Sequence, residues 1–218
     1  MTIPIPYELR DDLYRRPLAA ALERLGDMTG FRCVDVGAGG GDVSVALAEL
    51  CGERGRIYAV DIDPLRRNEI ASRAARFSQV VALTQAAEEL TLPEAVDLAF
   101  CRFLLLAVQE PRLVVERMVA TTRPGGWVII QEPITSAGRV GRSPISMDAP
   151  AVRDAEIGAQ VLELLSACRV EIREAWVESP AGMGDTPVAR YLEAMSGSLV
   201  VDEQIILPPL LTAIAKVL

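Results

Sequence analysis

A glycine-rich break between two apolar segments constrains the fold of this chain more than any other feature. It lies within residues 33–49, which read CVDVGAGGGDVSVALAE. The apolar run Cys33–Val36 predicts a short buried strand, and apolar residues return at helical spacing from Val43 onward. Between them, Gly37 and Gly39 permit positive φ angles and let a ligand lie against bare backbone. A strand, a glycine turn and a helix in this order are typical of the start of a nucleotide-binding βαβ unit.

An acid follows at the position that such a unit requires. Residues 56–60 (RIYAV) predict a second strand, and Asp61 stands at its end. A carboxylate at this strand tip can accept hydrogen bonds from both ribose hydroxyls. The glycines follow the pattern D-x-G-x-G-x-G, and Asp42 begins the helix, where its charge would repel a phosphate. The pattern therefore favours a nucleoside ligand without phosphate groups.

Four blocks in this order resemble the class I S-adenosylmethionine (SAM)-dependent methyltransferases. The resemblance is greatest to the group that includes quinone-biosynthesis and natural-product enzymes with small-molecule substrates. The blocks are VDVGAGGGDVSVALA, YAVDIDP, AEELTLPEAVDLAFCRFLLLAVQEP and RPGGWVIIQEP. The resemblance implies a Rossmann-like α/β fold, with a doubly wound, mostly parallel seven-stranded sheet, helices on both faces and an antiparallel last strand. It also implies SAM as cofactor and S-adenosylhomocysteine as product.

The resemblance also predicts one domain over residues 1–218. Its expected parts are an N-terminal helical lid in 1–30, a SAM-binding core in 31–133, and a substrate loop with the C-terminal strands in 134–218. Tyr7, Arg10 and Tyr14 on the lid helix are candidates for ligand contact, and a helix that only covers the sheet is the alternative.

Three expectations concern the C-terminal part. Residues 170–177 alternate in polarity and predict a sixth strand with one buried face, and residues 180–184 predict a turn. Residues 134–150 are rich in Gly, Ser and Pro and predict a long loop near the site. The final apolar run, LLTAIAKVL, is interpreted as the antiparallel seventh strand, with a helix as the alternative.

The resemblance places the cofactor contacts at the strand tips. The implied residues are Asp35, Gly37, Ala38, Gly39, Gly41, Asp61, Ile62, Ala87, Glu88, Cys101, Arg102 and Phe103. Ala86 stands where the family usually has an adenine-binding aspartate, and Glu88 could take over part of that task, with a solvated acid as the alternative. Ala107 stands near the position of a family histidine. Arg102 could meet the SAM carboxylate or an acidic substrate group, with a surface ion pair as the alternative.

The 218 residues include no histidine, so the commonest general base is missing. Methyl transfer from a sulfonium requires mainly that nucleophile and methyl group are aligned, so proximity and orientation are the predicted catalytic effects. Glu132, at the end of the fifth predicted strand, is the candidate catalytic base. The implied function is in-line methyl transfer to a small, largely apolar metabolite. The alternatives are a methyltransferase-fold enzyme used for cyclisation or isomerisation, and a non-catalytic methyltransferase-like partner subunit.

Composition limits the remaining functions. The net charge of −8 disfavours a nucleic-acid partner and an anionic membrane surface. No apolar run is long enough to span a bilayer and no secretory signal is visible, so a cytoplasmic protein is predicted. The four cysteines are scattered and predict core thiols rather than a metal site. The apolar C-terminal segment is compatible with a homodimer.

Overall fold

The computed structural model describes residues 7–145, 152–197 and 202–218, and for Tyr7 it describes the backbone alone. The helices are α1 (Tyr7–Glu23), α2 (Asp42–Cys51), α3 (Pro64–Arg73), α4 (Pro111–Thr121), α5 (Val161–Ser166) and α6 (Pro187–Ser196). The strands are β1 (Arg32–Val36), β2 (Arg56–Asp61), β3 (Val80–Thr84), β4 (Val96–Arg102), β5 (Thr122–Pro133), β6 (Arg139–Val140), β7 (Ser143–Pro144), β8 (Val170–Glu178), β9 (Ala181–Met183), β10 (Gln204–Ile206) and β11 (Leu210–Val217).

The main sheet has seven strands in the order β3-β2-β1-β4-β5-β11-β8. The strands from β3 to β5 pair in parallel, and β11 pairs antiparallel with both of its neighbours. Six strands therefore share one direction and the last strand opposes them. The predicted fold class is confirmed, and the C-terminal run is a strand rather than a helix.

Helices cover both faces of this sheet because its central strands are apolar on both sides. Successive residues of β1, such as Cys33 and Val34, point to opposite faces of the sheet and belong to two different core clusters. One cluster packs against α1 and α2 through residues such as Leu18 and Leu47, and the other packs against α4 and α5. Parallel strands that are buried on both faces read as continuous apolar runs, as the sequence of β1 does. The carboxyl ends of β1, β2, β4 and β5 consequently meet at one edge.

A second, small sheet was not expected from the sequence. Its strands are β7, β6, β10 and β9 in spatial order, and β10 pairs antiparallel with β6 and β9. The predicted turn at residues 180–184 therefore contains a strand, β9. The predicted loop at 134–150 contains a 3₁₀ turn (Thr135–Ala137) and two short strands, and its residues 146–150 lie outside the described part of the chain. Helix α6 packs on this sheet and contacts α1.

Strand β8 does not have the buried face that its alternation predicted. Most of its residues are exposed, including Ile172 and Val177. The physical reason is its place in the sheet: β8 is an edge strand with β11 as its single neighbour in that sheet. Charged residues such as Arg173 and Glu174 lie along this edge, as is common for strand edges that must not pair further.

Candidate cofactor-binding site

The glycine turn after β1 has the backbone conformation that the sequence required. The φ angles of Gly37, Gly39 and Gly41 are 74°, 52° and 81°. The backbone N–H groups of Gly37 and Ala38 donate hydrogen bonds to the carbonyl oxygen of Val60, at 2.8 and 2.9 Å. These bonds hold the turn beside the tip of β2, where the next acid stands.

Gly37 also makes a close approach that excludes a side chain. A Cβ atom at this position would lie 2.7 Å from Cδ1 of Leu104, a residue of the segment that follows β4. A side chain here would combine this clash with an unfavourable positive φ angle. The tips of β1 and β4 are therefore packed together across a glycine.

Asp61 at the tip of β2 connects the turn to the loop before α3. Its Oδ2 accepts a hydrogen bond from the N–H of Gly39 at 2.8 Å, and its Oδ1 accepts one from the N–H of Asp63 at 3.0 Å. A carboxylate has about four acceptor sites, so each oxygen can accept one more hydrogen bond. Because the side chain lines a cavity, these remaining acceptor sites are available to a ligand bound there.

The cavity has a volume of about 490 Å³, within the range of cavities that bind cofactor-sized ligands. Its walls are Gly37 and residues 60–62 at the tips of β1 and β2, residues 85–89 after β3, Leu104 and residues 107–110 after β4, and Arg153. Four carboxylates line it, those of Asp61, Glu88, Glu89 and Glu110, against the one guanidinium of Arg153. This excess of negative charge fits a cationic nucleoside such as SAM and opposes a phosphate.

The wall after β3 lacks a polar side chain at Ala86 but gains an acid at Glu88. Ala86 lines the cavity, and Ala87 begins a 3₁₀ turn. Oε1 of Glu88 accepts a hydrogen bond from the N–H of Gln109 at 3.1 Å, which joins this wall to the segment after β4. Glu88 therefore closes one side of the cavity and keeps acceptor capacity toward a ligand.

The structure brings part of the predicted set to this cavity. Gly37, Asp61, Ile62, Ala87 and Glu88 line it. The remaining predicted residues do not, and they are Asp35, Ala38, Gly39, Gly41, Cys101, Arg102, Phe103 and Glu132. Gly39 and Ala38 nevertheless form hydrogen bonds with the tip of β2, and Gly41 directly precedes α2. Asp35, Arg102 and Glu132 each have other contacts, which place them outside the cavity lining.

Asp35 lies beneath the glycine turn rather than beside the cavity. It is 2% exposed, and Oγ of Ser44 donates a hydrogen bond to its Oδ2 at 2.6 Å. Burial raises the pKa of Asp35 to about 7, and the hydrogen bond from Ser44 opposes part of this rise. The carboxyl group therefore links β1 to α2 and supports the turn from the interior.

Arg102 is a buried ion-pair partner. Its guanidinium forms an ion pair with Asp42, and its Nη1 donates to the carbonyl oxygen of Tyr14 at 3.4 Å, with the side chain 2% exposed. Arg102 does not line the cavity, and the ion pair that the sequence offered as the alternative is buried rather than on the surface. Burial disfavours the charge of Asp42, but Arg102 and Arg10 outweigh it and lower the pKa of this carboxyl. The repulsion that Asp42 would exert on a phosphate is thus compensated.

Phe103 turns the chain after β4. Its φ angle of 55° is unusual for a residue with a side chain, and its N–H donates to the carbonyl oxygen of Gln131 at 3.0 Å. Its ring lies edge-on to that of Tyr14 with 4.9 Å between centroids, and the guanidinium of Arg10 lies 5.5 Å from its centroid. Cys101, just before the turn, is fully buried in the core. The turn directs the following residues, Leu104 to Glu110, along the cavity.

Glu132 lies at the end of β5, fully buried, and does not line the cavity. Its Oε1 accepts hydrogen bonds from the backbone N–H groups of Leu104 and Leu105, both at 2.7 Å. Burial raises the pKa of Glu132 to about 7, although these N–H groups lower it in part. The predicted base therefore contacts the backbone of the cavity wall in this structure.

Sequence reasoning missed Arg153 and the role of residues 107–110. Within residues 107–110, the family resemblance drew attention to Ala107 alone, near the position of a family histidine. Arg153 follows a loop without periodicity and carries no local signal. Its backbone N–H donates to the carbonyl oxygen of Leu106 at 2.8 Å, and this long-range bond places it at the cavity.

The described residues contain neither a metal-binding cluster nor a membrane-spanning helix. Within residues 7–145, 152–197 and 202–218, no group of three or more metal-ligating side chains is close enough to hold a metal ion. Over the same ranges, no helix has the length and apolar character needed to cross a membrane.

Comparison with known proteins agrees with this geometry. Residues 34–130 match the family described as a methyltransferase domain. A ubiquinone biosynthesis O-methyltransferase of Paraburkholderia phymatum is 33% identical over 105 residues, which are 46% of this chain and 44% of that protein. The chain thus spans less than half the length of the curated relatives it matches.

Solved structures share the fold over nearly the whole chain. A SAM-dependent methyltransferase of Aquifex aeolicus matches with a TM-score of 0.65 and 17% identity, covering 98% of each chain. The [4+2]-cyclase SpnF matches with a TM-score of 0.66 and 20% identity, covering 93% of this chain and 80% of that one. At such identities the likeness shows the fold alone.

Proposed function

We propose that this chain, which belongs to the class I SAM-dependent methyltransferases, transfers a methyl group from SAM to a small, largely apolar metabolite. The observation that carries the proposal is the position of Asp61, bonded to the glycine turn and lining an acidic cavity of about 490 Å³. The likeness to ubiquinone biosynthesis O-methyltransferases supports a small-molecule acceptor.

The residues of the cavity fit SAM in shape and charge. Asp61 would accept hydrogen bonds from the two ribose hydroxyls, and the backbone of Gly37 would lie beside the bound nucleoside. Ile62 and Ala87 would lie against the adenine, with Glu88 near its edge. The carboxylates around the cavity favour a ligand that carries a positive charge.

SAM when bound supplies a methyl group that is already activated by the sulfonium. The protein then has to hold the acceptor in line with that methyl group and to exclude water. Burial raises the pKa of Tyr14 on α1 and of Tyr191 on α6 above the ordinary value for a phenol, so deprotonation to a phenolate base is disfavoured further at both. Proximity and orientation are therefore the proposed catalytic effects, with an acceptor whose own ring or acidity supplies the nucleophile.

The acceptor site proposed from the sequence lies between α1, the tips of β4 and β5, and residues 134–150. Arg10 and Tyr14 pack around Phe103 at this edge, which is consistent with that location. The side chain of Tyr7 lies outside the described residues. A cytoplasmic location, a homodimer and the absence of a nucleic-acid partner stay predictions.

The test is calorimetric titration of the protein with SAM and, separately, with S-adenosylhomocysteine. We expect micromolar binding of both. Asp61→Ala should weaken binding by about tenfold or more, because a charge-assisted contact contributes about 1.5–3 kcal/mol. Asp27→Ala is the matched control, since Asp27 also accepts a backbone N–H, that of Thr29, but is exposed and away from the cavity.

Each outcome has a distinct meaning. The absence of binding to the unmodified protein would contradict SAM as cofactor. Unchanged affinity in Asp61→Ala would remove Asp61 from the site. Binding without methyl transfer to any quinol, phenol or amine in a screen would favour cyclisation, isomerisation or a partner role instead.

A further inference from the structure

The buried carboxyl group of Glu132 belongs neither to the apolar core nor to the cavity lining. Glu132 is fully buried, and among the ion pairs of the described residues none includes it. Its Oε2 is buried and has no hydrogen-bond partner in the described part of the chain. A buried carboxyl group is costly unless hydrogen bonds or an ion pair compensate for the loss of water. Its neighbours therefore indicate what it does.

Its neighbours are the backbone of one cavity wall. Both hydrogen bonds to its Oε1 come from consecutive N–H groups, those of Leu104 and Leu105, and the N–H of Leu106 also faces the carboxylate. These residues directly follow the strained turn at Phe103. A left-handed residue persists only where surrounding contacts fix it, and the carboxylate supplies such contacts.

The same segment is connected to the cavity at two places. Leu104 packs against Gly37, where a Cβ atom would clash with it, and both residues line the cavity. The carbonyl oxygen of Leu106 accepts hydrogen bonds from the N–H groups of Arg153 and Asp154, at 2.8 and 3.2 Å. The position of Arg153 at the cavity thus depends on the segment that Glu132 holds.

We propose that Glu132 is a positioning residue, which fixes residues 104–106 so that Leu104 and Arg153 shape the cavity for the cofactor. This inference rests on the proposed function and replaces proton abstraction as the role of Glu132. Glu132 acts through the backbone, so its loss should lower cofactor affinity more than the rate at saturating cofactor. A general base would show the opposite division.

The experiment compares three variants with the unmodified protein. Glu132→Met removes the acceptor and should weaken SAM binding by about tenfold or more, because the wall loses its charge-assisted bonds. Glu132→Gln keeps one acceptor oxygen and should restore most of that affinity. Thr122→Val is the structural control: Thr122 is buried on the same strand, where its Oγ1 donates to the carbonyl oxygen of Met118 at 2.7 Å.

Two readouts separate positioning from general stability. Hydrogen exchange of the amides of Leu104 and Leu105, measured without cofactor, should accelerate in Glu132→Met and stay unchanged in Thr122→Val. SAM affinity measured by calorimetry should fall in Glu132→Met and stay unchanged in Thr122→Val, even if both variants lower the melting temperature.

Each result decides one question. Absence of SAM binding by the unmodified protein would contradict the proposed function alone, because hydrogen exchange still reports on the wall. Normal exchange and normal affinity in Glu132→Met would overturn the positioning role. Unchanged affinity with a lower turnover in Glu132→Gln would overturn it in favour of a base.

Discussion

The buried carboxyl group of Asp35 should make the stability of this protein depend on pH. Its pKa is raised from an ordinary value near 3.8 to about 7, first because it is buried and then because Asp42 and Asp61 are near. Ser44 and Arg102 oppose the rise. A carboxyl group whose pKa is raised on folding makes its full contribution to stability below pH 3.8. This contribution is lost as the pH rises through 7, because the buried group must then ionise. The perturbation to test is Asp35→Asn, which cannot titrate.

The size of the effect follows from the shift. Between about pH 5 and about pH 8, the raised pKa should lower the free energy of unfolding by about 2–3 kcal/mol, at roughly 1.4 kcal/mol per unit. Asp35 is 2% exposed, so solvent screening reduces this figure little. Glu132, with its pKa raised to about 7 mainly by burial, should add a loss in the same direction. The unmodified protein should therefore be clearly more stable at the acidic end of this range.

Urea unfolding near pH 5 and near pH 8 measures this directly. From about pH 5 to about pH 8, the free energy of unfolding should fall more in the unmodified protein than in Asp35→Asn. The difference between the two losses should be about 2–3 kcal/mol. The slope that remains in the variant should shrink further when Glu132→Gln is added. An equal pH dependence in the unmodified protein and in Asp35→Asn would refute the reasoning, because the pKa of Asp35 would then be the same in the folded and the unfolded state.

Two further substitutions test the packing around the site. Gly37→Ala should be less stable than Gly26→Ala by about 1–3 kcal/mol in thermal unfolding, because both glycines have a φ of 74° but the new Cβ meets Leu104 only at position 37. Equal losses would show that Leu104 yields without cost. Arg102→Met should lower stability by about 3–5 kcal/mol, because it leaves the partly buried carboxylate of Asp42 without its main partner. Adding Asp42→Asn should recover much of this loss in a double-mutant cycle, and no recovery would mean that the pair is not coupled.

The sequence predicted the parts of the site that local chemistry determines. The glycine turn needed positive φ angles, and Asp61 stood at the end of an apolar run, so both were visible without a structure. The small second sheet was not visible, because strands of two or three residues are too short to show a period. The exposure of β8 was equally hidden, since its alternation does not reveal that it lies at an edge.

Placement at a strand tip did not reveal which face a side chain takes. Arg102 pairs in register with Gln131, and both side chains reach α1, where they contact the carbonyl oxygens of Tyr14 and Pro17. Successive residues of a strand point to opposite faces, so Glu132 lies on the other face, beneath Leu104. Register between strands is a property of the assembled sheet, and neither role could be read from one strand alone.

In the folded protein, different acids from the one that the sequence singled out disfavour a phosphate-bearing ligand. From the sequence, Asp42 at the start of α2 was the group that would repel a phosphate. In the structure its charge is compensated by Arg102 and Arg10, so this end of the helix no longer discriminates. The discrimination passes to the cavity, where Asp61 and the glutamates of two distant segments face the same space as Arg153. Under the proposed function, selection of a cationic nucleoside would therefore depend on residues far apart in the chain, which no single strand–turn–helix pattern contains.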